Sequence, residues 1–538
     1  MRGKAICPVF IKEAPVSMPE KKGSPVDTST SLPFWKWFFI SLGSLLKSLL
    51  IFLWELLKTI FYAFLNIFIG AWKGLVWLIK AIGRLAKRYF LYFKNGTWKT
   101  RLSFLFMGAG AIFNGQIIKG ILLFVFQIGV VLFMATNGWN LIYMLRNLGS
   151  QIYIEGQWSD ACSCYTTTIP ADNSLLILLF GIATIMVIFA YFIFYNININ
   201  IAHDNQMLIA QGKKPKTFKQ DVSAFLNEKF HITVLSFPVL SAFAFTVLPL
   251  IFMIFLAFTN FDRLHQYPGS RFWWTGLTSF INLFSGTDST YRLLPASLGR
   301  ILGWTIIWAI LATVLNYIFG MILALMINKK GIKLKKLWRT VFVITIAIPQ
   351  FITLLIVSRL LSDTGPILAM LVKWGWVGTN FSFLTGNGTV ARTTVVIVNL
   401  WVGVPYTMLI TSGILMNIPA DLYESAKIDG AGPVTQFFKI TLPYMLFVTG
   451  PYLITAFIGN INNFNVIYFL TGGGPSDLTL FNAGKTDLLV TWLYKLTVNN
   501  QEYSIGSTLG IMVFVICSFV SLIMYSRTGA VQKEDEFQ

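Results

Sequence analysis

A short series of polar and small residues inside an apolar segment carries the most distinctive chemistry of this sequence. Four residues follow the spacing i, i+3, i+4 and i+7, which places them on one helix face: Asn399, Val402, Gly403 and Tyr406. Asn460 and Asn463 share a face of a later segment. Amides donate and accept hydrogen bonds and a tyrosine ring can stack on a sugar, so the set suits a neutral polyol. The alternative role for the asparagines is hydrogen bonding between membrane helices.

The residues of common catalytic and metal sites are missing from the sequence. The three histidines, His203, His231 and His265, have no metal-binding spacing, and no HExxH, GxSxG or CxxC motif occurs. Gly484-Lys485-Thr486 resembles the end of a phosphate-binding loop, but Thr479 occupies the position of the upstream glycine. We therefore expect this chain to have no catalytic residue, no metal site, no cofactor and no nucleotide-hydrolysis site of its own.

The composition places these residues in a membrane protein. Of 538 residues, 55% are hydrophobic and 12% are charged, whereas about a quarter of the residues of a soluble domain are charged. Soluble globular, disordered and collagen-like proteins are thereby excluded. Eight apolar runs are long enough to cross a bilayer as helices: Ile117–Ala135, Leu175–Asn196, Phe237–Phe258, Ile301–Ile327, Val341–Leu361, Thr393–Met416, Tyr444–Phe464 and Leu509–Tyr525.

Lysine and arginine determine the expected orientation. The formal net charge is +20, and the connections 213–229 and 329–336 each contain five lysines. The alternate connections carry few cationic residues, and the first hundred residues carry many. The positive-inside rule therefore predicts a multi-pass membrane protein with both termini in the cytoplasm. The basic charge is expected to face anionic lipid and not nucleic acid.

The first hundred residues divide into two parts. Residues 1–33 are rich in Pro, Ser, Thr and Lys, which predicts a disordered cytoplasmic tail. Residues 34–100 are dense in Trp, Phe and Leu, and predict basic amphipathic helices on the membrane surface. The alternative is an extra spanning hairpin centred near Ile60–Trp72. The surface helices are favoured because polar residues recur through residues 34–100 at helical steps: Lys47, Glu55, Lys58, Tyr62, Asn66, Lys73, Lys80, Arg84 and Lys87.

The connection 417–443, between the sixth and seventh segments, has the boundary signals of two short helices in water. Pro419 can begin the first helix, and Asp429-Gly430 can end it because glycine readily adopts a left-handed cap. Pro433 can begin the second helix. Such a loop suits docking into another protein, because it would expose apolar side chains: Leu422, Tyr423, Ala426, Phe437 and Phe438.

At this loop the sequence resembles a known family. Glu424-x-Ala426-x-x-x-Gly430, followed after nine residues by Ile440-x-Leu442-Pro443, is similar to the EAA loop of binding-protein-dependent ABC importer permeases. The pattern is long and specific, and Ser425 is its departure, where alanine is preferred. The resemblance implies a coupling helix that sits in a cleft of the ATP-hydrolysing subunit. The implied coupling residues are Glu424, Ser425, Ala426, Asp429, Gly430, Ile440, Leu442 and Pro443.

Further segments extend the resemblance over the C-terminal half of the chain. The segments 399–406, 460–464, 471–475 and 486–490 occur in the order found in MalF-type permease subunits of maltose/maltodextrin importers. The resemblance implies a sugar site at the middle of the membrane. Its residues would be Asn399, Val402, Gly403, Tyr406, Gly459, Asn460 and Asn463.

Three features depart from the pattern of that family. Gly459 stands where the maltose-binding member has an aromatic residue, and Ala456 stands where it has a hydroxyl. Both changes remove sugar contacts and widen the expected site. The external loop Thr259–Arg300 is short, so that an external binding protein would dock on less surface than in the enterobacterial form.

The resemblance implies an all-α membrane protein with the type I ABC importer permease fold and about eight transmembrane helices. Residues 101–236 would hold the first two transmembrane helices and a linker, and residues 237–538 the permease core. The partners would be a MalG-like second permease subunit, an ATPase subunit dimer that binds ATP and Mg²⁺, and an extracellular solute-binding protein. The resemblance further implies that oligosaccharides, with maltodextrins as the expected substrates, cross the bacterial cytoplasmic membrane by alternating access.

Three other functions remain open at this point. The first is a permease for galacto- or arabinogalacto-oligosaccharides. The second is a membrane-bound enzyme acting on lipid-linked sugars, which would need carboxylate or metal-ligand clusters at a membrane face. The third is an ion-coupled transporter, which the shortage of carboxylates in the spanning segments disfavours.

Overall fold

The computed structural model describes residues 58, 69–70, 72–159, 164–165, 167–329 and 331–526. The chain divides into two compact units, Met1–Ala71 and Trp72–Gln538. The expected tail over residues 1–33 and most of the expected surface helices before residue 72 lie outside the described residues. The second unit contains the helices that form the candidate site.

The N-terminal part of this unit is helical apart from one small strand pair. Its helices are residues 72–94 (α1), Trp98–Leu102 (α2), Ala109–Ile112 (α3), Ile117–Phe133 (α4), Trp139–Leu145 (α5), Ser174–Ala210 (α6), Phe218–Leu226 (α7), Phe230–Ala242 (α8) and Leu248–Leu256 (α9). Short π-helical turns join α4 to α5 and α8 to α9. In the loop before α6, the two-residue strands β1 (Trp158–Ser159) and β2 (Cys164–Tyr165) pair antiparallel.

The C-terminal part contains twelve further helices. They are Thr278–Ser285 (α10), Leu294–Asn328 (α11), Lys335–Ala347 (α12), Gln350–Leu360 (α13), Pro366–Lys373 (α14), Gly388–Leu415 (α15), Ala420–Ile428 (α16), Pro433–Gln436 (α17), Leu442–Ile461 (α18), Phe464–Thr471 (α19), Leu489–Tyr494 (α20) and Tyr503–Ser526 (α21). A 3₁₀ turn precedes α11, and π-helical turns follow α17 and α20.

The expected membrane architecture is confirmed. Within the described residues, seven helical segments are long and apolar enough to cross a membrane, and a bent pair raises the number to eight. All eight predicted segments are helical over most of their length. The predicted all-α membrane fold is therefore correct, with β1 and β2 as a minor addition.

The fifth predicted segment, Val341–Leu361, is not one continuous helix, which corrects the prediction. Helices α12 and α13 meet at an angle of 89°. Ile348 and Pro349 between them have extended backbone angles. Proline has no N–H to donate and disfavours helical geometry at the preceding residue, so the break falls at this dipeptide. As a result, Gln350 begins a new helix, α13.

Helix α1 packs on the polar end of α6. Arg88 donates to Asn196 Oδ1 at 2.7 Å, and the Tyr89 hydroxyl donates to the same atom at 3.1 Å. The rings of Tyr92 and His203 stack with their centroids 3.7 Å apart. Residues 72–94 are helical, as predicted. The contacts with Asn196 and His203 hold the C-terminal part of α1 against α6.

The permease core is built on close contact between α11 and α15. An ideal Cβ atom on Gly320 would lie 2.7 Å from Thr407 Cβ, so only glycine allows this approach of the two helices. Thr407 Oγ1 donates to the carbonyl oxygen of Asn316 at 2.8 Å. Trp304 and Trp308 of α11 pack with buried residues of α15 and α19 in one apolar cluster. The rigid α11–α15 pair forms one wall of the site.

Candidate functional site

A cavity of about 460 Å³ lies between α11, α15 and α18. Its volume is within the range of small-molecule binding sites, about 300–1,000 Å³. All seven residues of the predicted substrate site line it: Asn399, Val402, Gly403, Tyr406, Gly459, Asn460 and Asn463. The structure therefore brings the seven predicted residues together in space.

Helix α15 presents its four predicted residues to the cavity from one face. Asn399 is only 4% exposed. The ring of Tyr406, about two turns further along, is half exposed and pairs with the ring of Tyr452 on α18, with 6.4 Å between centroids. The two aromatic rings form an apolar wall beside the amides. This combination allows stacking on one face of a ligand and hydrogen bonding at its edge.

Two buried amide atoms at the cavity lack a hydrogen-bond partner. They are Asn399 Nδ2, a donor, and Asn316 Oδ1, an acceptor. A buried polar atom without a partner costs about 1–3 kcal/mol, and most such atoms in native proteins are satisfied. Neither atom is open to solvent in this state, so a ligand with hydroxyl groups would supply both missing bonds after a small movement of the two side chains.

Asn460 and Asn463 are positioned by a break in the seventh segment. Helix α18 ends at Ile461, which corrects the single predicted helix Tyr444–Phe464. Asn463 caps α19, because its Oδ1 accepts from Val466 N at 3.3 Å. Asn463 Nδ2 donates to Asn460 Oδ1 at 3.4 Å. The pair therefore lies on two sides of a helix junction and not on one helix face.

Six polar lining residues were not predicted from the sequence: Thr313, Asn316, Gln350, Thr407, Tyr452 and Thr455. Asn316 is a lone amide within an apolar run, and this is the signal that could have identified it. Gln350 follows Pro349, where the helix break directs the start of α13 to the cavity. Gly459 leaves open space, since no atom lies within 4 Å of an ideal Cβ there.

The cavity lining contains no charged side chain. In the part of the chain that the structure describes, no group of three His, Cys, Asp or Glu residues could hold a metal ion. Hydroxyl, amide and aromatic groups are the chemistry that the lining offers, and they match a neutral polar ligand.

Neighbouring cavities have a different lining. One of about 730 Å³ lies between α11, α18 and the loop after α17, and it is larger than the polar cavity. Another, of about 410 Å³, lies beside Trp401 on the opposite side of α15. Both are lined almost entirely by apolar side chains, such as Ile318, Met321 and Leu446 in the larger one. The cavity of about 460 Å³ is therefore the candidate site for a polar ligand because of its lining, although the apolar cavity of about 730 Å³ is larger.

The connection 417–443 forms the two short helices that the sequence predicts. Pro419 precedes α16, and Asp429 ends it. Gly430 follows with a φ of 79°, a left-handed conformation that favours glycine. The Tyr423 and Thr441 hydroxyls hydrogen-bond at 2.9 Å, which joins α16 to the start of the seventh segment.

The apolar side chains of this loop are only partly free. Leu422 and Phe438 are exposed as predicted, whereas Tyr423, Ala426 and Phe437 are half-buried. Ile428 and Val434, which are not among the predicted apolar residues of the loop, are 87% and 70% exposed. The predicted coupling residues lie on α16 and its end, in the following turn and at the start of α18: Glu424, Ser425, Ala426, Asp429, Gly430, Ile440, Leu442 and Pro443.

Comparison with known proteins identifies transport permeases as the relatives of this chain. The family model "Binding-protein-dependent transport system inner membrane component" matches residues 316–527. The galactooligosaccharides transport system permease protein GanP of Bacillus subtilis (strain 168) is 31% identical over 429 residues, 79% of this chain and 96% of GanP.

Two further relatives carry another substrate in their names. The maltodextrin transport system permease protein MdxF of Bacillus subtilis (strain 168) is 30% identical over 453 residues, 81% of this chain and 97% of MdxF. The maltose/maltodextrin transport system permease protein MalF of Klebsiella aerogenes is 36% identical over 235 residues, 42% of this chain and 44% of MalF. The matches extend well beyond the loop that first suggested a relationship.

Proposed function

This chain belongs to the family of binding-protein-dependent transport system inner membrane components, and on that premise we propose that it carries oligosaccharides through the cytoplasmic membrane by alternating access. It is a multi-pass permease subunit of an ABC importer. The relatives are transport permeases, so the alternative of an enzyme acting on lipid-linked sugars has no support from them.

The observation that carries the proposal is the uncharged polar cavity between α11, α15 and α18. Oligosaccharides are neutral and rich in hydroxyl groups. Asn399 and Asn316 line this cavity, and each has one amide atom, a donor and an acceptor respectively, without a partner in the protein. Tyr406 and Tyr452 offer ring faces on which a pyranose can stack. An ion-coupled transporter would instead place carboxylates along the route.

We favour maltose and maltodextrins as the substrates, and galacto- or arabinogalacto-oligosaccharides are the second candidate. MdxF and MalF are named for maltodextrins, while GanP is named for galactooligosaccharides at nearly the same identity and coverage as MdxF. The open space at Gly459 and the small side chain of Ala456 leave room for more than one type of linkage.

A panel of labelled oligosaccharides tests this choice. Cells that lack this chain are complemented with it, and uptake of maltotriose, galactobiose and an arabinogalacto-oligosaccharide is measured. Competitive uptake of maltotriose over the other two supports maltodextrin transport. Preference for galactobiose would transfer the assignment to the second candidate, and uptake of none of the three would contradict oligosaccharide transport.

The connection 417–443 is proposed to transmit ATP hydrolysis to the bundle. A dimer of ATPase subunits would bind ATP and Mg²⁺ and receive α16, whose exposed Leu422 and Ile428 offer apolar contact area. A MalG-like second permease subunit would complete the pathway, and an extracellular solute-binding protein would deliver the sugar. Co-purification of these three components with a tagged form of this chain is the expected result, and isolation of the chain without an ATPase subunit would contradict the proposal.

Helix α1 is proposed to lie on the inner leaflet and to bind anionic lipid, with both termini in the cytoplasm. Its cationic residues recur along the helix at steps of seven, four and three: Lys73, Lys80, Arg84 and Lys87. No Asp or Glu occurs between Glu55 and Glu155. Each cation near an anionic surface contributes about 1 kcal/mol. Exposed apolar residues such as Leu75, Ile79 and Ile82 accompany the cations.

Native mass spectrometry of the purified protein tests the lipid proposal. Replacing Lys80 and Arg84 by glutamine should lower the number of retained phosphatidylglycerol molecules, whereas Lys373→Gln, in an external connection, should not. Retention of phosphatidylcholine serves as the reference. Equal phosphatidylglycerol retention by all three proteins would exclude α1 as the lipid-binding element.

A further inference from the structure

The amide of Asn316 is seated against a glycine. An ideal Cβ atom at Gly403 would lie 2.6 Å from Asn316 Cγ and 2.8 Å from Asn316 Oδ1, so any larger residue at position 403 would displace the amide. Asn316 is 9% exposed and Gly403 lies on the cavity face of α15. The space beside Gly403 that a side chain would take is therefore occupied by the Asn316 amide of α11.

The hydrogen bonds that join α11 to α15 use other groups. Contact between α11 and α15 is supported by Thr407 Oγ1, which donates to the backbone carbonyl of Asn316. One turn further along, Thr411 Oγ1 lies 3.4 Å from the backbone carbonyl of Gly320. Asn316 Oδ1 itself has no hydrogen-bond partner. An asparagine whose role is to join helices would place this oxygen on a donor of the neighbouring helix.

The second unpaired atom lies one turn away on α15. Asn399 precedes Gly403 by four residues, so the two share a helix face about 6 Å apart. Asn399 Nδ2 is a buried donor without a partner, and Asn316 Oδ1 is a buried acceptor without a partner. Both residues line the same uncharged cavity. Hydroxyl groups of one ligand in this cavity can therefore approach both residues.

We propose that Asn316, seated on Gly403, is a specificity-determining residue that accepts a hydrogen bond from one particular hydroxyl of the transported glycoside. Asn399 Nδ2 donates to a second oxygen of the same ligand. Gly403 acts as a positioning residue, because it holds the Asn316 amide in place. This inference rests on the proposed oligosaccharide transport and adds to it the residue that reads hydroxyl position.

Monodeoxy sugars test the inference directly. Uptake of labelled maltose or galactobiose, whichever the wild type transports, is measured in competition with each of its monodeoxy derivatives. In the wild type, one derivative should compete about 10- to 100-fold less well than the parent sugar, because it leaves Asn316 Oδ1 without its partner. In Asn316→Ala, discrimination at that position should disappear while discrimination at the other positions remains.

Two additional variants make the result independent of folding. Asn316→Ser keeps a small polar side chain that is too short to make the same contact, and it carries the comparison if the alanine variant does not assemble. Gly403→Ala should reproduce the loss of discrimination at the same hydroxyl. Asn462→Ala is the matched control, because Asn462 is adjacent to the site in sequence but is not among the lining residues.

The outcomes separate this inference from the proposed function. Normal uptake with unchanged discrimination in Asn316→Ala and Asn316→Ser would overturn the role of Asn316 while leaving oligosaccharide transport intact. A uniform decrease for all derivatives would show a purely structural role and would also overturn it. If the wild type takes up none of the oligosaccharides of the panel, the proposed function fails and this inference fails with it.

Discussion

Asn460 of α18 donates from Nδ2 to the hydroxyl oxygen of Thr313 on α11 across 3.0 Å. The backbone carbonyl of Asn460 also accepts from Trp308 Nε1 at 3.1 Å. A residue expected to contact sugar thus joins two walls of the cavity. Asn399 differs from it, because its Nδ2 has no partner within the protein. The two asparagines should therefore respond differently to substitution.

Asn399→Ala is predicted to reduce sugar uptake about tenfold or more with no loss of assembly, because its donor is free for the ligand. Asn460→Ala should reduce uptake and also lower stability by about 1 kcal/mol, because an inter-helix hydrogen bond is lost. Thr313→Val is the control, since it removes the same bond and leaves Asn460 in place. Uptake assays and thermal unfolding of the purified protein provide the two measurements. Equal stability of Asn460→Ala and the wild type would contradict the structural part of this role.

Tyr406 is predicted to act through its ring. Tyr406→Phe should keep most uptake, because the face that pairs with Tyr452 is preserved. Tyr406→Ala should raise the apparent KM by roughly tenfold, as expected for the loss of a stacking contact of about 1 kcal/mol or more. A phenylalanine variant as impaired as the alanine variant would show that the hydroxyl, and not the ring, makes the contact.

Gly430 is predicted to be essential for coupling. Its φ of 79° is strained for any residue with a side chain, although open space surrounds it. Gly430→Ala and Glu424→Gln should lower uptake severely while ATP hydrolysis continues and delivery by the binding protein is intact. Gly212→Ala is a matched control, because Gly212 has a φ of 74° and open space in another connection. Wild-type uptake in both coupling variants would rule out the assigned role of α16.

The ion pair between Asp487 and Lys495 is predicted to stabilise the segment after α19. Lys495 Nζ donates to Asp487 Oδ2 at 2.6 Å, and the Asp487 side chain is fully buried. Asp487→Asn leaves a cation without its partner and should cost about 3–5 kcal/mol. Asp221→Asn breaks the more exposed pair with Lys119, 3.0 Å long, and should cost at most about 1 kcal/mol. Thermal unfolding in detergent compares the two variants, and similar losses would contradict the burial argument.

Local signals in the sequence account for much of the fold. The apolar runs locate all eight segments, and Pro419, Gly430 and Pro433 mark the ends of α16 and the start of α17. These features are predictable because they depend on nearby residues. The 89° bend at Pro349 was missed because an uninterrupted apolar run suggested one span, although proline is a known helix breaker.

The residues that line the cavity were less predictable from the sequence. Helical spacing placed Asn399 and Tyr406 on one face, and the family resemblance supplied Gly459 and Asn460. Neither approach identified Asn316, whose relevance depends on the close approach of α11 to Gly403. Likewise, docking of α1 on α6 through Tyr92 depends on residues more than a hundred positions away in the chain. Such long-range contacts are set by packing and leave no local periodicity.

A cryo-electron microscopy map of the assembled transporter in nanodiscs, at saturating concentration of its transported sugar and in a closed state, tests the central claim most directly. We predict sugar density in the cavity between Asn399 and Tyr452, in contact with the ring of Tyr406. At a sugar concentration near half-saturation of the wild type, this density should be weaker in the map of Asn399→Ala. Sugar density along a different route, with this cavity empty, would contradict the account.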